Sequence, residues 1–313
     1  MKKWLLISSA LILISALAYI LLSNDYNIRN SIEIRNNPRG IYRAIADTAN
    51  WKQWWPDTTI NNHLHWPSPS HYQLTAITAS TFKINIHTAD FSLSSELLLI
   101  PHQLKYATLE WRTVLPVSLN PIKRIQNYFA FKKLSGDMQL LLKQLQQYYS
   151  DTAHLYQVAV RRDFVKDSTL VFTSGSFQSY PTTEQIYTMI EKLRRYIATQ
   201  QAFATDSPML HIYRNSQSDY LLKVAIPTNK PLPDSGTILY KWMLPHGNIL
   251  VADITGGQHK AEQALANMDN YVHDFELASP AIPFFSLQTN RLAVPDSNKW
   301  KTTIYYPVMY YKD

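Results

Sequence analysis

The chain has 313 residues, 46% hydrophobic and 17% charged, which is enough apolar material for two ordinary domains and too much for a disordered chain. It contains no cysteine, which excludes disulfides, thiolate nucleophiles, cysteine-ligated metals and a lipid-modified cysteine anchor. The net charge of +7 fits an anionic membrane surface or nucleic acid, but a basic solvated face is the preferred reading.

The chain begins with Lys2-Lys3 and then WLLISSALILISALAYILL, residues 4–22, a run without charge. A helix of that length rises about 28 Å, close to the hydrocarbon thickness of a bilayer, about 30 Å. Trp4 and Tyr19 stand near its two ends, where amphipathic rings settle. The preceding lysines put the N-terminus in the cytoplasm and the bulk of the chain outside it, in the periplasm of a Gram-negative cell. The expectation is a single-pass membrane protein with residues 1–24 as its anchor. A cleaved signal peptide is the alternative, with Ala16-Leu17-Ala18 as the small-residue site, although that site lies inside the apolar run.

Beyond the polar stretch SNDYN, Ile28, Ile32 and Ile34 predict a first strand. Asn37 before Pro38 predicts a helix start, a capping side chain followed by proline at the first helical position. Ile41 and Ile45 share one face of that short helix, and Asp47 and Asn50 end it. NWKQWWP follows, with Trp51, Trp54 and Trp55 each able to bury about 200 Å². These rings are either an exposed platform for a ligand or a plug that locks the fold, and packing is the preferred reading. TFKINIH and ATLEWRTVL alternate apolar and polar residues, as in an antiparallel sheet wetted on one side. Leu134, Met138, Leu141, Leu145 and Tyr148 then form one stripe of a long helix. Residues 25–151 thus read as an α+β unit in which a curved sheet grips a long C-terminal helix.

PRGIYRAIADTANWKQWWP, the strand around Trp111, and NPIKR before the last helix resemble the SRPBCC superfamily, the START-like or polyketide-cyclase-like helix-grip domains. The resemblance implies a cavity for apolar small molecules between sheet and helix. The candidate ligand contacts are Trp54, Trp55, Phe82, Trp111 and Met138.

In the second half, LVFTSGSF (170–177) reads as a strand. Thr182 and Gln185 form a capping-box pair ahead of Ile186, Ile190, Leu193 and Ile197 at helical spacing. MLHIYRN (209–215) and DYLLKVAIP (219–227) follow as strands. The same order then recurs, with residues 249–254 of NILVADIT as a strand, a helix marked by Ala261, Leu265, Met268 and Val272, and strands IPFFSLQT (282–289) and KTTIYYPV (301–308). Two strand–helix–strand–strand copies predict a duplicated module over residues 152–313, with a groove along its pseudo-twofold axis. Phe177, Tyr213, Trp242 and Phe285 are the candidate groove residues, each an aromatic on a strand.

PTTEQIYTMIEKLRRYI, PMLHIY, LKVAIP, LPHGNILVADITGG and PDSNKWKTTIYYPV resemble the GyrI-like, effector-binding domains, relatives of the SOUL haem-binding proteins. The resemblance implies binding of amphipathic, often cationic aromatic compounds, and hydrolysis in some members. The family's pocket glutamate, and the tyrosine two residues after it, fall on Phe285 and Leu287. Neither ionises, so the resemblance argues against hydrolysis and weakens the case for cationic ligands. Glu276 replaces the glutamate only under a shifted alignment.

No metal or other cofactor is expected. His63 and His65 have strand spacing but no third ligand beside them, and His154, His211, His246, His259 and His273 suggest haem only by distant analogy. HExxH, GxSxG, P-loop and GxGxxG motifs are absent. No helix-turn-helix precedes the second module, so no nucleic-acid partner is expected. The favoured function is a membrane-anchored, non-catalytic binding protein for hydrophobic or amphipathic small molecules. The alternatives are a cyclase- or hydrolase-type enzyme acting in the first cavity, and a cell-envelope scaffold whose cavities are filled by their own side chains. The oligomeric state is not legible in the sequence.

Overall fold

In the computed structural model of the chain, the described residues are 25–55, 59–60, 63–65, 70–118, 120–166, 169–215 and 219–310, with 9, 13, 14 and 19 singly; for 59–60 and 63–65 only the backbone is described. The chain divides into two compact units, Met1–Asp151 and Thr152–Asp313. Each unit is α+β, built on one antiparallel sheet.

Among the described residues no helix is long and apolar enough to cross a membrane, which overturns the single-pass assignment. Most of residues 4–22 lie outside the described residues.

The first unit runs β1 (Asp25–Ile34), α1 (Pro38–Ala46), β2 (Thr59–Ile60), β3 (His63–His65), β4 (His71–Thr78), β5 (Thr81–His87), β6 (Ser92–His102), β7 (Tyr106–Pro116) and α2 (Pro121–Tyr149). Strands β2 to β7 form a meander, and β1 returns to pair with β7. Asn37 caps α1 through its side-chain oxygen, which accepts from the Arg39 amide at 2.9 Å. Asn120 does the same for α2, accepting from the Ile122 and Lys123 amides. Both caps satisfy donors that a helix start leaves orphaned. Helix α2 buries Leu134, Met138, Leu141, Leu142 and Leu145, but its last core ring is Tyr149, not Tyr148. Tyr148 instead donates its hydroxyl to Gln53 Oε1 at 2.6 Å.

On β7, Glu110 is buried and clamped by two arginines. Arg29 Nε lies 2.7 Å from Glu110 Oε1, and Arg112 Nε pairs with the same oxygen. Hydrogen bonds from Arg29 and Arg112 hold the carboxyl below the usual carboxylate range.

The second unit runs α3 (Thr152–Tyr156), β8 (Arg161–Phe164), β9 (Thr169–Phe177), α4 (Thr183–Thr199), β10 (Met209–Arg214), β11 (Tyr220–Pro227), β12 (Leu239–Trp242), β13 (Asn248–Thr255), α5 (Gln258–Asp274), β14 (Phe284–Leu287) and β15 (Lys301–Pro307). Its sheet order, β12-β9-β11-β10-β14-β15-β13-β8, is a palindrome of two modules. The copies β9-α4-β10-β11 and β13-α5-β14-β15 join through β10 and β14. Each module's preceding strand crosses to the other half, so that β8 pairs with β13 and β12 with β9. The Thr182–Gln185 capping box starts α4 as the sequence predicts. Arg291 ties the helices to the sheet. It donates to Gln258 Oε1 of α5 at 2.8 Å and to Thr302 Oγ1 of β15 at 3.0 Å. Its amide donates to Tyr187 Oη of α4 at 2.7 Å.

Candidate ligand-binding groove

The tryptophans of the first unit are a plug. Asp47 caps the short 3-10 turn Thr48–Gln53, accepting from the Ala49 amide at 3.0 Å. The turn drives Trp51, Trp54 and Trp55 inward, and all three are buried. Trp51 donates its indole N–H to the Ile45 carbonyl at 2.8 Å and stacks on Trp55 at 5.7 Å. Trp111 donates to Ser95 Oγ at 3.0 Å, which in turn donates to the Ile84 carbonyl at 2.7 Å. The void left among Trp51, Trp54, Trp55, Trp111 and the α2 leucines measures about 10 Å³. That is room for about one water. Phe82 and Met138 are fully buried as well, and neither lines the void.

The second unit is open where the first is closed. One face of its sheet packs Leu222, Val224 and Ile226 of β11 out of contact with solvent. Side chains alternate along a strand, so the intervening residues face the other way. There, Phe172, Ala225 and Met209 stand in one row across β9, β11 and β10. With the stacked pair Phe284 and Tyr305, ring centroids 5.2 Å apart, they floor a groove of about 630 Å³. The two segments that carry the swapped strands also line it. Val165 and the 246–247 turn clasp each other there, the Val165 amide donating to the Gly247 carbonyl at 2.9 Å and the His246 amide to the Val165 carbonyl at 3.0 Å.

Five large apolar side chains along this groove are left in water. Phe164, Trp242, Leu244, Ile282 and Met309 are between 42% and 65% exposed, and all five line it. Scattered exposed hydrophobics are ordinary on a protein surface, whereas a cluster around a concavity is not.

The polar groups are few. His211 donates through Nδ1–H to the Pro283 carbonyl at 2.9 Å. Burial first, and Lys223 beside it, push the imidazole below its usual range, against the pull of the Pro283 carbonyl. Asp163 is engaged already, by the Phe164 amide at 2.8 Å, Arg161 at 3.1 Å and Lys166 at 3.8 Å. These contacts, the Phe164 amide foremost, hold it below the usual carboxylate range. Asp206 sits exposed and accepts from the Ser207 amide at 2.6 Å.

Of the aromatics singled out in the second half, Trp242 lines the groove and three do not. Phe285 is 3% exposed and pairs in register with Leu210 and Ile304, on the face away from the groove. Its neighbour Phe284 takes the groove position. Phe177 folds back over Gly175, where an added Cβ would meet its ring at 3.2 Å and the α4 residue Met189 at 3.6 Å. Tyr213 stands beside the groove, with its ring 5.2 Å from His211. Phe164, Phe172, Met209 and Phe284 escaped notice in the sequence; the Phe284-Phe285 doublet was the available signal. Glu276 does not line the groove. No cluster of three metal-ligating side chains occurs among the described residues, and the side chains of His63 and His65 lie outside them.

No protein-family model and no curated protein matches the chain. Among solved structures it is similar to the C-terminal domain of EcmrR, at 13% identity over 49% of this chain and 99% of that one, with a TM-score of 0.37. A hydrolase from Listeria innocua is 12% identical over 48% of this chain and 91% of that one, with a TM-score of 0.36. SAV2435 bound to tetraphenylphosphonium is 15% identical over 48% of this chain and 94% of that one, with a TM-score of 0.32. Likeness at this level does not extend to ligand or activity.

Proposed function

We propose that this protein captures a small hydrophobic or amphipathic molecule in the groove of its second unit, acting as a binding protein. The observation that carries the reading is the convergence of Phe164, Trp242, Leu244, Ile282 and Met309, all exposed, on one groove of about 630 Å³. That volume falls within the range of small-molecule sites, about 300–1,000 Å³. Covering those side chains with an apolar ligand removes them from water at about 25 cal/mol per Å². In this reading the second unit is a GyrI-like binding domain. The first is an SRPBCC-type helix-grip fold whose interior is filled by its own tryptophans. The void beside those tryptophans, about 10 Å³, is too small to hold a substrate.

The test is a titration of the full chain with the neutral fluorophore N-phenyl-1-naphthylamine. Saturable enhancement with one site per chain is expected. Linear, unsaturable fluorescence would remove the reading.

A further inference from the structure

We infer that the groove selects an amphipathic anion, with a single negative headgroup seated at Lys223 and an apolar body lying along Ala225, Met209 and Phe284. The inference rests on the reading of the groove as a ligand site and names the charge of what it takes.

The charges decide it. Lys223 lies on β11, a strand in the interior of the sheet, and is partly buried in the groove floor. Among the described residues no carboxylate pairs with it. Its ammonium sits 5.7 Å from the Tyr213 ring, and its cross-strand partner is His211. The apolar row Phe172-Ala225-Met209 runs beside it, two residues further along each strand. That is a separation of about 7 Å, the length of a short headgroup-to-chain step. A cation held in a partly apolar groove gains more from a counter-charge than one in bulk water.

The other charged groups of the groove are spoken for or lie in solvent. Lys166 is 80% exposed and belongs to Asp163, and Lys241 stands exposed on the edge strand β12. Asp163 already has Arg161 and Lys166 against it, so it offers little to a cationic ligand. Asp206, exposed at the groove, is screened by water. What remains is Lys223, a partly buried positive charge with no ion pair among the described residues, set at the end of an apolar trough.

The test uses three ligands with one tail: decanoate, decanol and decyltrimethylammonium, each competing with N-phenyl-1-naphthylamine on the full chain. Decanoate is expected to bind at least tenfold more tightly than the ammonium compound. Lys223→Gln is expected to erase that preference and leave decanol unchanged, while Lys223→Arg keeps it. Equal binding of the three, or tighter binding of the ammonium compound, overturns the inference and leaves the groove reading standing. So does displacement by none of them when the fluorophore itself binds. A preference that survives Lys223→Gln overturns the seat assigned to the headgroup. Failure of the fluorophore to bind at all removes the groove reading, and the inference with it.

Discussion

His211 and Lys223 face each other across the β10–β11 ladder, and both side chains line the groove. The pair sets a polar stretch in the groove beside the apolar row. Burial first, and the neighbouring ammonium, push the imidazole below its usual range, which favours Lys223 as the seat of the pair's positive charge. Two residues along, the same two strands present Met209 and Ala225. Head and tail of an amphipath are thus laid out on adjacent rows of one sheet.

Ala225 is the small residue between Phe172 and Met209 in the apolar row. Ala225→Trp would place an indole where the ligand's body lies. N-phenyl-1-naphthylamine affinity is expected to fall at least tenfold, about 1.4 kcal/mol, with the far-UV circular dichroism unchanged. Unchanged affinity would place the ligand elsewhere.

Trp51 tests whether the tryptophans are a plug or a platform. It is 2% exposed and anchored to the Ile45 carbonyl. Trp51→Ala is expected to cost about 3–5 kcal/mol in denaturant unfolding and to leave fluorophore affinity unchanged. Retained stability with lost affinity would make Trp51 a ligand contact.

Glu110 sets an acid limit on the first unit. Its carboxyl titrates below its unfolded value because Arg29 and Arg112 hydrogen-bond the charged form. The stabilisation is therefore complete above the ordinary glutamate range, about pH 4.3, and is lost as pH falls through the folded value. Glu110→Gln is expected to be less stable at pH 7 and to show a flatter decline in acid. Parallel stability curves for the two proteins would show that the clamp contributes nothing.

Much of the fold could be read from local chemistry. Asn37-Pro38, the Thr182–Gln185 box and the stripes on α2 and α4 are signals that neighbouring residues supply, and the helices begin where they say. The duplication was visible because both copies repeat the same element order. The exchange of β8 and β12 between the two modules was not. RRDF and LYKW are four residues each, too short for an alternation to show, and their partners lie in the other module. Strand β6 hid for another reason. Its buried Ser95 interrupts the apolar rhythm of Leu93 and Leu97, and its bonds to the Trp111 indole and the Ile84 carbonyl, both distant in sequence, explain it. The groove face of β14 was ambiguous in principle. Phe284 and Phe285 are the same residue on opposite faces, and pairing with Leu210 and Ile304 decides between them. An apolar span stands out in sequence by composition alone, yet among the described residues no helix matches it.

The most direct measurement is a crystal structure of the full chain with decanoate bound. The expected density lies in the second unit, its carboxylate at Lys223 and its chain against Ala225, Met209 and Phe284. Density among Trp51, Trp54 and Trp55, with the groove of the second unit empty, would contradict the assignment of binding to that groove.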